Sequence, residues 1–138
     1  MSILLSSEVL AFLDMVMPVV VGTRRRDGSV KLTPAWYEYH AGRFRLASFH
    51  GAHWVAQLRR DRAAALLFVD PHDMYRAVHA EATPIEITTD GARAQMDRLS
   101  HRYTGGPYQF PMTRELVRLE LEPSHLRSSF EPSQPTIS

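Results

Sequence analysis

The sequence predicts a mainly β domain in which six strands, joined by short helices, form a closed or nearly closed barrel. Three observations carry this prediction. The chain has 138 residues and is 44% hydrophobic, which fits one domain with one core. Alternating or β-branched apolar runs recur at short intervals, and glycine turns separate several of them. Because closure removes exposed strand edges, so many strands in so short a chain favour a barrel.

The first third of the chain predicts a helix and a meander. A short helix is expected over SSEVLAFLD, capped by Ser6 or Ser7. The β-branched run MPVVVGT and the strand VKLTPAWYEY flank Asp27-Gly28, which predicts an antiparallel hairpin. A second turn at Ala41-Gly42 leads into RFRLAS, so we expect three consecutive antiparallel strands by residue 48.

The middle of the chain predicts a helix between strands. Trp54, Val55 and Leu58 have helical spacing within SFHGAHWVAQLRRD. The continuous apolar run AAALLFVD is typical of a strand that is buried on both faces. A long strand is predicted from Met74 through YRAVHAEATPIEIT, and Pro84 marks a bulge or an edge in it.

The last third predicts one more helix and the final strand. The helix lies in TTDGARAQMDRLSHRY, with Thr89 or Asp90 as its cap. Its apolar face consists of Ala92, Met96, Leu99 and Tyr103. The final strand is ELVRLELEP, which has one apolar face. We therefore predict a single domain over residues 1–127 and a flexible C-terminal tail over residues 128–138, which are polar and contain proline.

Composition excludes several classes of function. Sixteen Lys and Arg against fifteen Asp and Glu give a net charge of +1, so no positive excess indicates a nucleic-acid partner. The absence of cysteine excludes disulfides, thiol nucleophiles and thiolate metal sites. The apolar N-terminal stretch lacks a basic region and is interrupted by Glu8 and Asp14. It predicts neither a signal peptide nor a membrane partner, and we expect a cytoplasmic protein.

Short motifs give little direct evidence of chemistry. His50 and His53 have a spacing that allows shared metal ligation, but no carboxylate flanks them and no metal site is predicted. The run Arg24 to Arg26 can bind phosphate, although arginines at a hairpin tip are usually solvated. No G-x-S-x-G elbow, G-x-G-x-x-G or Walker A pattern is present, so hydrolytic and classical nucleotide sites lack support. The catalytic residues are unknown at this stage.

The stretch TPAWYEY suggests a ligand surface. Side chains alternate along a strand, so Trp36 and Tyr37 cannot both point into the core. One of them must meet solvent, another subunit or a flat ligand.

Taken in order along the chain, several segments resemble one family. They are DGS-x-x-x-TP-x-WY, GRFRLAS, LRRD, ALLFVDP, YRAVHAEATPIEIT and DRLSHRYTG. Their order and spacing are similar to the pyridoxamine 5'-phosphate oxidase-like split β-barrel family, and most similar to the flavin/deazaflavin oxidoreductases of actinobacteria, which use coenzyme F420. The resemblance covers roughly residues 8 to 127. It implies a split β-barrel of the FMN-binding-barrel type, F420 or FMN as cofactor, and a homodimer with a cofactor cleft at its interface.

The resemblance also implies which residues contact the cofactor. They are Lys31, Thr33, Pro34, Ala35, Trp36, Ser48, His50, His53, Trp54, Tyr75 and Arg76. Members of the family carry basic residues for the cofactor phosphate where this chain has SFHGAHW, and the next cation here is Arg59. Imidazoles thus stand in place of permanent cations, which makes phosphate binding weaker or dependent on pH.

Three functions are compatible with this sequence. The first is an oxidoreductase that transfers a hydride between reduced F420 or FMN and a small activated organic acceptor. Positioning dominates such catalysis, so it needs no nucleophile or acid/base motif. The alternatives are a non-redox binding protein for a flavin, haem or tetrapyrrole-like ligand, and a cofactor-free enzyme that acts on a hydrophobic natural product in the same cleft.

Overall fold

The computed structural model describes residues 4–109 and 113–130. The part of the chain that it describes contains three helices and seven strands. In chain order they are α1 (Ser7–Leu13), β1 (Val19–Arg24), β2 (Val30–Ala35), β3 (Glu38–His40), β4 (Arg43–Phe49), α2 (His53–Asp61), β5 (Ala64–Asp70), β6 (Asp73–Thr88), α3 (Ala92–Thr104) and β7 (Leu116–Ser128). The mainly β prediction is confirmed, with seven strands in place of six.

The strands form one antiparallel sheet in the order β2-β1-β5-β6-β7-β4-β3. The predicted hairpin between the first two strands is confirmed, since Val19 pairs with Ala35 and Arg24 with Val30. The three-stranded meander is wrong. The segment predicted as one strand is two, β2 and β3, and these lie at opposite ends of the sheet because β2 pairs with β1 and β3 with β4.

The break between β2 and β3 is a corner made by the two aromatics. Tyr37 is fully buried in the main core, and its hydroxyl donates to the Leu13 carbonyl at 2.8 Å. Trp36 instead stacks on Tyr103 of α3, with ring centroids 5.2 Å apart and planes 12° apart. The prediction that the two aromatics serve different surfaces is confirmed, but the chain turns here instead of continuing as a strand.

Two apolar clusters fill the molecule. The larger lies inside the sheet, where Phe68 contacts Tyr37 at 4.7 Å and Phe44 at 5.1 Å between ring centroids. The smaller lies under α3, where Met96 and Leu116 pack with Trp36. Apolar side chains therefore line the region between β4 and α3, and they form a cluster that is separate from the main core.

Several local predictions can be compared with the structure. Ser6 caps α1, as predicted, because its Oγ accepts the Val9 N–H at 3.1 Å. The N-cap of α3 is Gly91 with φ of 70°, and not Thr89 or Asp90, so that prediction is wrong. A glycine takes this left-handed conformation without the steric cost that other residues pay.

The two central strands also differ in part from expectation. Residues of β5 alternate between buried and exposed, and Leu67 is 39% exposed, so this chain alone covers only one face of the strand. A continuous apolar run predicts that both faces of a strand are buried, but it does not show whether the second face is covered by the same chain or by another. The register of β6 against β7 shifts between Pro84 and Glu86, which confirms the predicted bulge.

The predicted domain boundary falls near the end of β7. This strand continues to Ser128, Ser129 Oγ accepts the Ala77 N–H at 2.9 Å, and the Phe130 ring lies 5.0 Å from that of Phe12. The rest of the proposed tail, residues 131–138, lies outside the described residues, and the division of the chain stays a prediction. Within residues 4–109 and 113–130, no helix is long and apolar enough to cross a membrane.

Candidate functional site

An apolar cavity of about 560 Å³ lies between the ends of β2 and β4, the start of α2 and the face of α3. Five residues predicted to contact a cofactor line it, namely Pro34, Ala35, Trp36, Ser48 and Trp54. Other lining residues, which sequence reasoning did not assign to a site, include Ala47, Phe49, Met96, Leu99, Tyr108 and Arg114. The structure thus brings together residues from the ends of β2 and β4, from α2 and α3, and from the segment between α3 and β7.

The walls of this cavity are flat and mostly apolar. Trp36, stacked on Tyr103, forms one side, and Met96 and Leu99 of α3 close another. Ser48 is 7% exposed and adds a hydroxyl to the lining. The Arg114 guanidinium lies 5.3 Å from the Phe49 ring centroid and is the one charged group among the described lining residues. Such a slot suits a planar aromatic ligand with a few polar edges.

A second cavity, of about 540 Å³, is basic. Its cations come from the β1–β2 hairpin and from α2, and they are Arg25, Arg26, Lys31 and Arg60. His53 and Gln57 also line it, and no carboxylate does among the residues that the structure describes. Concentrated positive charge in a cavity that no described carboxylate lines favours binding of an anion such as phosphate.

The four cations differ in how firmly they are held. The Arg25 guanidinium donates to the Val30 carbonyl at 2.9 Å, and Arg60 Nε lies 2.9 Å from an Asp61 carboxylate oxygen. The side chains of Arg26 and Lys31 make no hydrogen bond or ion pair within the described parts of the chain. These two side chains are therefore available to a ligand without breaking an existing contact.

One turn separates the two cavities. Ala52 and Trp54 line the apolar cavity, whereas Gly51 and His53 line the basic one. Gly51 has φ of 88°, which lets the chain reverse into α2, and no side chain caps the first N–H groups of that helix. A ligand that has a flat ring and an anionic arm can thus contact both cavities across the turn.

The remaining predicted residues lie elsewhere. Thr33 precedes Pro34 but does not line either cavity, and its buried hydroxyl has no hydrogen-bond partner among the described residues. His50 is exposed in the turn after β4, and its N–H donates to the Glu115 carbonyl at 2.7 Å. Sequence proximity to His53 therefore does not place His50 in the basic cavity.

Tyr75 and Arg76 are also outside both cavities of their own chain. Tyr75 is 80% exposed at the start of β6. Arg76 Nε lies 3.3 Å from an Asp70 oxygen, and its guanidinium lies 4.5 Å from the Phe130 ring centroid. In a single chain these residues form a separate cluster. Among the described residues, no group of three or more His, Asp or Glu side chains converges as metal ligands do.

Two groups near the apolar cavity have pKa values that are shifted from their ordinary values. Burial raises the pKa of Tyr103 above its ordinary value of 10.0, so its phenol stays neutral and remains a hydrogen-bond donor. The Tyr108 N–H donates to Asp97 at 3.1 Å and lowers the pKa of that carboxyl. The resulting contact ties the loop after α3 to the helix that covers the cavity.

Sequence reasoning missed residues for two different reasons. Met96 and Leu99 were predicted on the apolar face of α3, but the pattern does not say which part of that face covers a cavity. The run Arg24 to Arg26 was identified as able to bind phosphate, but no spacing in the sequence links this hairpin to Arg60 on α2. Only the fold brings these two segments together.

Comparison with known proteins identifies the architecture. A sequence model of the pyridoxamine 5'-phosphate oxidase family matches residues 5–130. An F420 reductase superposes with a TM-score of 0.76 at 20% identity, over 85% of this chain and 94% of that one. A conserved hypothetical protein of Mycobacterium tuberculosis gives 0.75 at 21% identity, over 99% and 94% of the two chains. The HupZ protein of Group A Streptococcus gives 0.68 at 13% identity, over 95% and 98%. No curated protein matches the sequence.

Proposed function

The chain belongs to the pyridoxamine 5'-phosphate oxidase family, and from this premise we propose that it is an oxidoreductase that uses F420 or FMN to transfer a hydride to a small activated organic acceptor. One observation carries the proposal. An apolar slot and a basic cavity lie on the two sides of the turn Gly51–Trp54. Both cofactors combine a flat tricyclic ring with a phosphorylated arm, and this arrangement offers a suitable surface to each part.

The apolar cavity fits the ring. Trp36 provides a flat wall, and Pro34, Met96 and Leu99 provide apolar contacts. Ser48, with its hydroxyl, is placed to orient a polar edge of the ring. The proposed ring position therefore agrees with the residues that the resemblance implies on β2 and β4.

The basic cavity fits the phosphorylated arm. Arg26 and Lys31 have no competing partner in the described chain, and Arg25 and Arg60 add fixed positive charge. These cations come from elements other than the segment SFHGAHW, so they compensate for the basic residues that this segment lacks. The proposed phosphate site thus consists of permanent charges with His53 beside them, and it does not depend on imidazoles alone.

The chain's own residues contribute binding and orientation. When bound, the reduced cofactor supplies the hydride. The apolar walls exclude water from the ring and leave space for a flat acceptor to stack, which is the main requirement for this chemistry. Arg114 lies at the edge of the same cavity. We assign no residue a role as acid, base or nucleophile.

We further propose that the active form is a homodimer. Exposed apolar residues lie on β2 and β5, the two strands that flank β1, with Leu32 68% exposed and Leu67 39% exposed. A second copy would cover this face and supply the second cover that the apolar run of β5 predicts. Tyr75 and Arg76 are candidates to reach the partner's cofactor. Sedimentation equilibrium at micromolar concentration tests the assembly, and a monomer there contradicts it.

The direct test is cofactor binding followed by turnover. Native mass spectrometry and the visible spectrum of the purified protein identify any ligand that co-purifies. Titration with FMN and with F420 then gives dissociation constants, and the reduced complex is mixed with quinone and activated alkene acceptors under anaerobic conditions. Cofactor oxidation that depends on the protein and the acceptor supports the proposal.

Other outcomes would favour the two alternatives. Tight binding of a flavin or tetrapyrrole without oxidation by any acceptor indicates a non-redox binding protein. Failure to bind either cofactor at millimolar concentration contradicts the proposed function and favours a cofactor-free reaction in the apolar cavity.

A further inference from the structure

We propose that Tyr103 is a positioning residue that holds the Trp36 indole as a wall of the apolar cavity. Its expected effect on cofactor affinity rests on the proposed function, whereas its effect on the indole does not. Tyr103 lies in the last turn of α3, and Trp36 lies at the corner between β2 and β3. Trp36 lines the apolar cavity, whereas Tyr103 does not.

The corner lacks the support that a strand would give. β2 ends at Ala35 and β3 begins at Glu38, so the backbone of residues 36–37 belongs to neither strand's ladder. Its hydrogen bonds come from α3 instead. The Tyr37 N–H donates to Tyr103 Oη at 3.1 Å, and the Tyr37 carbonyl accepts from Arg102 Nε at 3.0 Å.

The Tyr103 hydroxyl uses both of its hydrogen-bonding functions. It accepts the Tyr37 N–H and donates its single proton to the Met17 carbonyl at 2.6 Å. The Tyr37 carbonyl, at 3.3 Å, is the more distant acceptor. The phenol is therefore fixed between two separate chain segments, and the orientation of its ring is fixed with it.

Packing against Met96 and Leu116 does not enclose the Trp36 side chain. Its side chain borders the apolar cavity and also a neighbouring cavity of about 460 Å³ near Ser100 and Pro107. With space on two sides, the indole depends on the nearly parallel contact with Tyr103, where the planes differ by 12°. If that contact were lost, the indole could turn and change the shape of the slot.

Arg102 provides a matched control. Its guanidinium donates to carbonyls of Tyr37, Leu13, Asp14 and Met15, so it ties the same corner to the N-terminal segment. It lies over the rings of Tyr37 and Tyr103, at 5.4 and 5.7 Å, and makes no ring contact with Trp36 in the described structure. Loss of Arg102 weakens the frame without removing the stacking partner.

The experiment uses a Trp54→Phe background, in which Trp36 is the only tryptophan because the chain has two. Tyr103→Leu, Tyr103→Phe and Arg102→Gln are introduced separately into the full chain. For each variant we measure the melting temperature and acrylamide quenching of Trp36 fluorescence without ligand. The dissociation constants for FMN and F420 follow.

We expect Tyr103→Leu to increase acrylamide quenching several-fold and to weaken cofactor binding about tenfold, since an aromatic contact is lost and the wall must be reordered on binding. Tyr103→Phe keeps the ring but loses both hydrogen bonds, and it should change both readouts in the same direction by a smaller factor. Arg102→Gln should lower the melting temperature while leaving quenching and affinity unchanged.

Three results would overturn the proposal. The first is unchanged acrylamide quenching in Tyr103→Leu. The second is an equal increase in quenching in Tyr103→Leu and Arg102→Gln. The third is increased quenching in Tyr103→Leu with an unchanged cofactor affinity, in a protein that binds cofactor. If Tyr103→Leu does not fold, Tyr103→Phe is judged by the same criteria. If quenching rises but the wild-type protein, which keeps Trp54, binds neither cofactor, the positioning role is supported and the proposed function fails.

Discussion

The two cavities beside the first turn of α2 recognise ligands by different physics. The apolar one has a single charged lining residue among those described, Arg114, and offers contact area. The basic one concentrates four cations and offers charge. Apolar burial depends weakly on salt, whereas contacts with an exposed anion are screened by it. The contribution of the phosphate can therefore be separated from that of the rest of the cofactor by comparing FMN with riboflavin, which has the ring and the ribityl chain but no phosphate.

The largest effect is expected from removing the two uncommitted cations. The double variant Arg26→Ala/Lys31→Ala should weaken FMN binding about a hundredfold, because each charge-assisted contact to phosphate contributes about 1.5–3 kcal/mol and partial exposure reduces it. Riboflavin binding should not change. Calorimetric titration at low and high ionic strength measures both. Arg59→Ala is the control, since Arg59 is an exposed cation on α2 outside the cavity lining.

If Arg59→Ala weakens FMN binding as much as the double variant does, general surface charge is responsible and the basic cavity is not the phosphate site. An equal loss of FMN and riboflavin affinity in the double variant would mean that the cavities do not act separately.

The complementary change removes the flat wall. Trp36→Ala should weaken riboflavin and FMN by the same factor, about tenfold, because stacking of an aromatic ligand on tryptophan contributes roughly 1–1.5 kcal/mol beyond its general burial. The ratio of the two affinities should stay constant. Fluorescence titration of the flavin gives both constants. A change in the ratio would show that Trp36 affects the phosphate end, which contradicts the separation of the cavities.

The same contrast explains how much of the site could be predicted from sequence. The fold class, the hairpin and most helices follow from local periodicity and turn residues. The ring wall follows in part because Pro34, Ala35 and Trp36 are contiguous. The break after Ala35 could not be predicted, since it depends on hydrogen bonds from Tyr103, which is 67 positions after Trp36. The basic cavity could not be predicted either, because its hairpin and helix meet only in the folded sheet.

A third prediction separates the frame from the site. Tyr37 lies beside Trp36 but faces the core, and its hydroxyl bond to Leu13 is buried. Tyr37→Phe should lower the free energy of unfolding by about 1–2 kcal/mol at neutral pH, because the Leu13 carbonyl loses that bond and keeps only the longer one from Arg102, at 3.4 Å. Flavin affinity should change little. Chemical denaturation followed by circular dichroism measures the stability, and a tenfold loss of affinity would show that the frame and the site are not separate.

The pH dependence of stability follows from the same residue. Burial raises the pKa of Tyr37 well above its ordinary value of 10.0, and the pKa values of Tyr103 and Tyr39 are also raised by burial. The folded state therefore keeps protons that the unfolded state releases. This contribution to the free energy of unfolding is fully present below about pH 10 and is lost as the pH rises further. Tyr37→Phe should make this alkaline decrease less steep. An unchanged slope would show that Tyr37 does not contribute to it.

The smallest expected effect distinguishes the two histidines. Only His53 lines the basic cavity, whereas His50 is exposed in the turn and contributes a backbone bond to Glu115. A protonated imidazole adds positive charge beside Arg25, Arg26, Lys31 and Arg60, so FMN affinity should rise a few-fold as the pH falls from 8 to 5.5. The factor stays small because permanent cations already supply most of the charge, and because the free phosphate itself loses negative charge over the same range. His53→Ala should remove part of this pH dependence, and His50→Ala should not. FMN titration at both pH values measures the effect. Riboflavin, which lacks the phosphate, is the control ligand. The same pH dependence in both variants and the parent would exclude His53 as a phosphate contact, and a loss in His50→Ala alone would require the phosphate to lie on the opposite side of the turn.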